Sequence, residues 1–190
     1  MRMSPSNAAR KLRKPSSNAA RADALASYAD AQFDTLLKKY TSIAIAVSGG
    51  ADSMALTLLA AEWAQKNGIT FTAYTVDHRM RPESSDEAQM VNAWLKSHGI
   101  AHKILTSHAE KPEVNRQEWA RKLRYRLLLD ACHAAGHTDL LLAHHRQDQI
   151  ETYLLRKQRG SADYGLACMP VTAEREGVTL VRPFLGVPKK

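Results

Sequence analysis

The residues with the clearest chemistry are six in succession: Ser48, Gly49, Gly50, Ala51, Asp52 and Ser53. Because Gly49 and Gly50 have no Cβ atom, their backbone N–H groups can converge on an anion. The Ser48 and Ser53 hydroxyls can donate further hydrogen bonds. Asp52 would repel a bare phosphate, so an acid here fits best if it holds Mg²⁺ against phosphate oxygens. The pattern is neither the Walker nor the Rossmann glycine motif, and the alternative is an ordinary Gly-Gly turn before a helix with an acidic first turn.

Two further clusters follow apolar runs of the sequence. Asp77 and His78 end one run, where backbone groups could read an adenine and the side chains could meet a ribose or a metal, although a plain turn is the alternative. His144 ends another run, and Asp148 and Glu151 follow it on one face if a helix begins early. This trio could contact a nucleotide, a metal or an incoming amine, or it could be ordinary core or surface. Zinc is disfavoured because no second close histidine completes an H-E-x-x-H pattern.

Arg121 and Arg124 share one face of a helix predicted over residues 115–135. Two arginines on one face could be a solvated surface. Beside a phosphate-binding loop they are also suited to stabilising the charge that develops on a phosphate.

Alternating strands and helices must position these residues. Short, continuously apolar runs predict buried strands at residues 42–47, 70–76, 102–105 and 139–143. Periodic apolar positions predict helices at residues 24–39, 53–67, 84–97, 115–135 and 147–158. Ser84 and Glu87 predict a capping box at the start of the third helix. The alternation predicts an α/β fold, a three-layer parallel sheet flanked by helices, with ligands at the carboxyl ends of the strands.

The positive charge is concentrated near the N-terminus. The chain has 27 Lys and Arg against 19 Asp and Glu, a net charge of +8, and six of the eight excess charges lie in residues 1–22. This stretch is too poor in apolar residues for a core, so we predict a flexible basic extension before a domain over residues 23–190. A solvated tail, an arm that attracts a polyanion and an organelle transit peptide remain the three interpretations.

Composition argues against several classes of protein. No stretch approaches the roughly 20 apolar residues of a membrane span, and the N-terminus lacks a signal-peptide run, so we expect a cytoplasmic protein without a membrane partner. Cys132 and Cys168 form neither a C-x-x-C pair nor a disulfide framework, as expected in a reducing cytosol. Two cysteines also exclude a zinc or iron–sulfur site built on cysteine alone.

Ordered motifs along the chain resemble those of one enzyme family. Residues 48–53 look like the pyrophosphate loop, or PP-loop, of the N-type ATP pyrophosphatases. Five more motifs follow in order, beginning at Val76, Ala120, His144, Arg159 and Arg182. Over residues 42–188 the set resembles the catalytic domain of the tRNA(Ile)-lysidine synthases. Arg79 stands where that family usually has Gly, and Gln147 where many members have Asp.

The resemblance implies an adenine-nucleotide α-hydrolase-like (Rossmann-like) fold and an ATP-dependent ligase. With ATP and Mg²⁺, such an enzyme adenylates cytidine 34 in the CAU anticodon of tRNA(Ile), and free L-lysine then displaces AMP to form lysidine. Carried onto this chain, it implies ATP binding by residues 48–53, Asp77 and His144, with the metal at Asp52. The residues that it implies for catalysis are Asp52, Arg124, Asp148 and Glu151. Asp148 or Glu151 would hold or deprotonate the lysine amine.

Two other functions remain open at this point. One is another PP-loop tRNA-modifying ATP pyrophosphatase of the 2-thiocytidine synthetase type, which generally needs reactive or cluster-binding cysteines. The other is a non-catalytic nucleotide- or RNA-binding remnant. Members of the lysidine synthase family usually continue into C-terminal domains that grip the tRNA, and we expect these to be absent from this chain. Nucleotide binding should then persist while RNA affinity is weak.

Overall fold

A six-stranded sheet lies at the centre of the computed structural model, which describes residues 17–37, 42–107, 109, 112–158, 160 and 167–188. The strands are β1 (Ser42–Ala46), β2 (Thr70–Asp77), β3 (His102–Thr106), β4 (Asp139–Leu141), β5 (Thr172–Arg175) and β6 (Val178–Val181). Their order across the sheet is β3-β2-β1-β4-β6-β5, and neighbouring strands are parallel except for β5 with β6. The predicted parallel α/β sheet is confirmed, with an antiparallel edge strand added.

Five helices accompany the sheet within the described residues. They are α1 (Ser17–Leu37), α2 (Ala51–Lys66), α3 (Ser84–Ser97), α4 (Arg116–Ala135) and α5 (Arg146–Gln158). Ile43 and Ile45 of β1 face a cluster with side chains from α1, α2 and α3, whereas Ala44 faces a cluster with side chains from α4. Because successive strand residues point to opposite faces, both faces of the sheet are covered and the three predicted layers are confirmed.

The first helix starts earlier than predicted. It begins at Ser17 rather than at residue 24, so residues 17–22 of the predicted flexible extension are helical. The segment Asn18-Ala19-Ala20-Arg21 contains no glycine or proline, and alanine and arginine favour helices, so nothing local stops the helix there. The rest of the predicted extension, residues 1–16, lies outside the described residues.

The edge hairpin of β5 and β6 was absent from the sequence-based prediction. Arg175 pairs with Val178, so the turn between them contains only Glu176 and Gly177. Both turn residues have positive φ, 51° and 75°, as a type I′ turn requires. The hairpin lengthens the sheet beyond β4 and places Arg175 beside the face covered by α4.

The predicted capping box at the start of α3 is wrong. Glu83 occupies the N-cap position without a side-chain cap, and Ser84 is already helical. The Ser84 hydroxyl lies 2.9 Å from the Asp77 carboxylate and 2.8 Å from the Arg81 carbonyl, and both are acceptors. Glu87 instead forms an ion pair with Arg81 at 3.0 Å. Ser84 and Glu87 therefore contact Asp77 and Arg81, outside the helix, instead of forming the mutual hydrogen bonds of a capping box.

No helix among the described residues is both long enough and apolar enough to cross a bilayer.

Candidate active site

The strand order reverses between β1 and β4, the point at which open α/β sheets bind ligands. These two strands are parallel neighbours, so the loops that leave them, residues 47–50 and 142–145, lie side by side. A cleft of about 390 Å³ opens there, within the size range of small-molecule sites. Five residues that the sequence indicates as candidates for function line it: Ser48, Ser53, His78, Arg124 and His144. The apolar part of its wall includes Tyr74, Val76, Val91, Leu128 and Leu142.

Ser53 holds the predicted phosphate loop from its C-terminal end. The Ser53 hydroxyl accepts a hydrogen bond from the Ser48 backbone N–H at 3.2 Å and donates one to the Gly50 carbonyl at 2.9 Å. The two serine hydroxyls lie 3.2 Å apart. Gly50 is the N-cap of α2 and offers no side chain to the first-turn N–H groups, which are therefore oriented for an external anion.

Replacing Gly49 by alanine should destabilise the fold more than replacing Gly50. Gly49 has φ 81°, and a Cβ atom there would lie 3.0 Å from Val91 Cγ2. Backbone strain of this kind costs about 1–3 kcal/mol. Gly50 has φ −71° and room for a Cβ, so Gly50→Ala should cost less than about 1 kcal/mol as an N-cap change. Urea unfolding of both variants measures the difference, and equal losses would contradict the assigned backbone geometry.

Asp77 shapes the rim of the cleft. Its side chain is buried, and Oδ1 accepts hydrogen bonds from the Arg79 backbone N–H at 2.8 Å and from the Ser84 hydroxyl at 2.9 Å. Arg79 has φ 51°, the left-handed conformation that suits the glycine usual at this position in the resembling family. His78 and Met80, on the same loop, line the cleft, whereas Asp77 is not among its lining residues. The Asp77 carboxylate therefore holds the loop after β2, and its contact with the nucleotide stays a prediction.

His144 is kept neutral by its surroundings. Burial is the main cause of its lowered pKa, about 4. Nearby cations act in the same direction and the Asp148 carboxylate opposes them; the cations are Arg182, Arg124 and Arg121. Within the described residues, Nδ1 of His144 is buried without a hydrogen-bond partner. A neutral imidazole that lines the cleft suits an uncharged partner such as a nucleobase or a ribose hydroxyl.

The stability of the chain should fall as the pH is lowered from about 6.5 towards 4. In the unfolded chain His144 takes up a proton near pH 6.5, whereas in the folded chain its pKa is about 4. The unfolded state therefore binds more protons in the window between these two pH values, which destabilises the folded state. The contribution of this histidine is at most about 3 kcal/mol, and it is present above the window and lost below it. Urea unfolding near pH 7 and near pH 5 checks this, because His144→Gln should lose less stability on acidification than the unaltered chain. Equal losses would count against the neutral, buried imidazole.

His145, which the sequence analysis did not assign, links two of the predicted carboxylates. Its Nε2 atom lies 3.5 Å from Asp52 Oδ2, and its backbone N–H donates to Asp148 Oδ2 at 2.7 Å. Its Nδ1 atom lies 3.1 Å from the same Asp148 oxygen, at ion-pair distance although not aligned for a hydrogen bond. His145 therefore joins the N-terminal end of α2 to that of α5. The sequence shows His144 and His145 side by side, but it does not indicate which of the two rings lies between Asp52 and Asp148.

The remaining predicted residues differ in how close they lie to the cleft. Arg124 lines the wall from α4. Asp52 precedes the cleft-lining Ser53, and its side chain is 41% exposed. Asp148 is 33% exposed and held by His145 as described. Glu151 is exposed one helical turn further along α5 and is not part of the cleft wall.

The residues present fit a Mg²⁺ ion held mainly by phosphate oxygens. In the described part of the chain, no three His, Cys, Asp or Glu side chains form a metal-binding group. Mg²⁺ usually binds through one or two carboxylates together with water and substrate phosphates, and it seldom needs an all-protein cage. Asp52, partly exposed beside the phosphate loop, can supply such a carboxylate.

Comparison with known families agrees with this geometry. Residues 21–190 match the ATP_bind_3 family, described as the PP-loop domain. This chain belongs to the PP-loop domain family. It is 46% identical over 154 residues to a tRNA(Ile)-lysidine synthase of Rhodopseudomonas palustris, covering 80% of this chain and 44% of that protein. It is 43% identical over 155 residues to a tRNA(Ile)-lysidine synthase of Bradyrhizobium diazoefficiens, covering 80% of this chain and 43% of that protein. The PP-loop chain thus spans less than half the length of these curated relatives.

Solved structures share the architecture at low sequence identity. The U34-tRNA thiolase NcsA from Methanococcus maripaludis has a TM-score of 0.73 at 15% identity, covering 88% of this chain and 61% of that chain. A Candida glabrata FMN adenylyltransferase has a TM-score of 0.54 at 9% identity, covering 92% of this chain and 57% of that chain. These similarities support the fold of the PP-loop chain.

Proposed function

We propose that this chain performs the ATP-dependent chemistry of a tRNA(Ile)-lysidine synthase. The reaction is the ligation of L-lysine to C2 of cytidine 34 in the CAU anticodon of tRNA(Ile), with ATP converted to AMP and pyrophosphate. The proposal depends above all on the meeting of the PP-loop, Arg124 and His144 in one cleft at the reversal of strand order. The identity to the lysidine synthases of two bacteria supports the choice of substrate. A cytoplasmic location is part of the proposal, and it fits the finding that Cys132 and Cys168 are not joined in a disulfide.

The first step activates the cytosine. Its O2 oxygen attacks the α-phosphorus of ATP, the bond from that phosphorus to the bridging oxygen breaks, and pyrophosphate leaves towards residues 48–53. Backbone N–H groups of the loop and the N-terminus of α2 stabilise the charge on the leaving group. Arg124, which lines the same cleft from α4, offsets charge on the adenylate. Mg²⁺, bound through Asp52, would supply further neutralisation of the triphosphate.

The second step requires an unprotonated lysine amine. The ε-amine attacks C2, and AMP leaves with the former O2 oxygen. Asp148 is already engaged by the backbone and the ring of His145, so we assign it to positioning the loop after β4. Glu151 is exposed one turn along the same helix, and we assign it to holding the amine or taking its proton.

A thiolation reaction of the 2-thiocytidine synthetase type is less well supported. The NcsA structure is described with a [4Fe-4S] cluster, which is that protein's property. Such clusters are held by several cysteine thiolates, and this chain contains two cysteines. Burial raises the pKa of the Cys132 thiol to about 12, which disfavours the reactive thiolate form. The chain therefore has too few cysteines to hold such a cluster by thiolates alone, and Cys132 is not suited to act as a reactive thiolate.

Incorporation of labelled lysine into RNA tests the proposal directly. The chain is incubated with ATP, Mg²⁺, labelled lysine and a tRNA(Ile) transcript with the CAU anticodon. We expect label in this RNA and none in a matched transcript whose cytidine 34 is replaced by uridine. Release of pyrophosphate without lysine transfer would contradict the substrate assignment and leave adenylation standing, while label in both transcripts would contradict the site of modification.

A further inference from the structure

Three guanidinium groups surround the ring of one buried tyrosine. The Cζ atoms of Arg121 and Arg124, both on α4, lie 5.7 Å and 5.8 Å from the centre of the Tyr125 ring. The Cζ atom of Arg175, on β5, lies 4.6 Å from the same centre. Contact with an aromatic face orients a guanidinium while its N–H groups remain available to other partners. The hairpin therefore adds a third cation to a site that the sequence of α4 alone does not reveal.

The structure holds Arg175 in this position through the hairpin turn. The two-residue turn fixes the pairing of Arg175 with Val178. The turn is also bonded to α4, because the Nε2 atom of His133 lies 2.8 Å from the Glu176 carbonyl oxygen. The strand pairing and this hydrogen bond hold β5 beside α4, where the Arg175 side chain reaches the Tyr125 ring.

The charge of this cluster is largely uncompensated within the protein. Among the described residues, the ion pair formed by the three arginines joins Arg175 Nε to Glu176 Oε1 at 3.7 Å, and both side chains are substantially exposed. An exposed pair of this kind neutralises little charge. Three cations around one ring repel one another, and a bound polyanion would relieve that repulsion.

We propose that Arg121 and Arg175, continuing from Arg124 at the cleft wall, bind phosphates of the RNA backbone next to the nucleotide whose base enters the cleft. This inference rests on the proposed function. Both RNA and ATP carry phosphate groups that arginines can bind. The proposed function already assigns the phosphates of ATP to residues 48–53. Arg121 and Arg175 do not line the cleft, and both side chains are accessible to solvent beside the same Tyr125 ring that Arg124 contacts. RNA extending out of the cleft is the ligand that fits this arrangement.

The test measures RNA and nucleotide binding separately. A fluorescent anticodon stem-loop RNA containing CAU is titrated with the full chain at several salt concentrations, without ATP. For Arg121→Gln/Arg175→Gln we expect the affinity to fall on the order of tenfold or more. The slope of log K against log salt should shrink by about 0.7 for each phosphate that the variant no longer neutralises. Arg126→Gln, an exposed arginine of the same helix, is the matched control and should change neither quantity as much.

Two further arms separate this site from general damage and from the ATP site. Arg121→Lys/Arg175→Lys retains both charges and should recover most of the salt slope, which a merely structural effect would not do. Binding of ATP with Mg²⁺ should weaken much less than RNA binding in the double glutamine variant, because neither arginine lines the cleft. Weakened ATP binding with intact RNA binding, or an equal loss in Arg126→Gln, would overturn the inference. Absence of RNA binding by the unaltered chain at low salt would also overturn it, whereas pyrophosphate release still tests the proposed function independently.

Discussion

Asp52→Asn should reduce ATP-dependent pyrophosphate release on the order of 10²–10³-fold, because the substitution removes the carboxylate that is suited to hold the metal against the triphosphate. The side chain lies in the first turn of α2, beside the phosphate loop, and Oδ2 is 3.5 Å from His145 Nε2. Asparagine keeps the shape of the side chain and removes its charge. Pyrophosphate release with the CAU transcript is the measurement.

Asp86→Asn is the matched control for this substitution. Asp86 is exposed in the first turn of α3 and is not among the residues of the cleft, so its removal costs only a helix-dipole interaction of about 0.3–1 kcal/mol. RNA binding should survive in both variants. Unimpaired turnover of Asp52→Asn would contradict the assignment. An unaltered chain that binds RNA without any turnover would favour a non-catalytic module instead.

Arg124→Gln should lower the rate of adenylation on the order of 10²-fold, because the guanidinium at the cleft wall no longer offsets phosphate charge. Arg124→Lys should recover part of the rate. A second readout is independent of turnover. The charge of Arg124 contributes to lowering the pKa of both His144 and His78, so both values should rise in Arg124→Gln, as measured by NMR titration.

Arg126→Gln on the same helix controls for general effects of losing an arginine. Arg126 is exposed and is not among the cleft residues. Its replacement should leave adenylation and both histidine pKa values near those of the unaltered chain. A rate loss as large as that of Arg124→Gln would show that the effect arises from net charge and not from the cleft.

The parallel core of the fold was predictable from local patterns. β1, β2 and β4 contain short apolar runs, and burial on both faces of a parallel sheet produces this type of run, whereas β3 is an edge strand without a fully buried residue. The β5 and β6 hairpin escaped prediction because β5 is four residues long with alternating exposure, which is too short for a clear period. Glu176-Gly177 was the one usable signal, since a two-residue turn ending in glycine is typical of hairpins.

The site was predictable where function depends on adjacent residues and less so where it depends on partners distant in the sequence. The phosphate loop could be predicted from residues 48–53 alone, because a glycine turn between a strand and a helix is a local feature of the sequence. The role of Ser84 was mispredicted because its hydroxyl bonds to Asp77, seven residues earlier, across the rim of the cleft. His145 was missed because its position between Asp52 and Asp148 depends on the packing of α2 beside the loop after β4.

Calorimetric titration of the full chain with α,β-methylene-ATP is the most direct test of the central claim, that a triphosphate binds at residues 48–53. This analogue cannot be cleaved between its α- and β-phosphates, so the heat reports binding alone. We predict one site per chain in the presence of Mg²⁺, with clearly weaker binding in Asp52→Asn and unchanged binding in Asp86→Asn. Absence of binding heat from folded protein with Mg²⁺ present would contradict the claim.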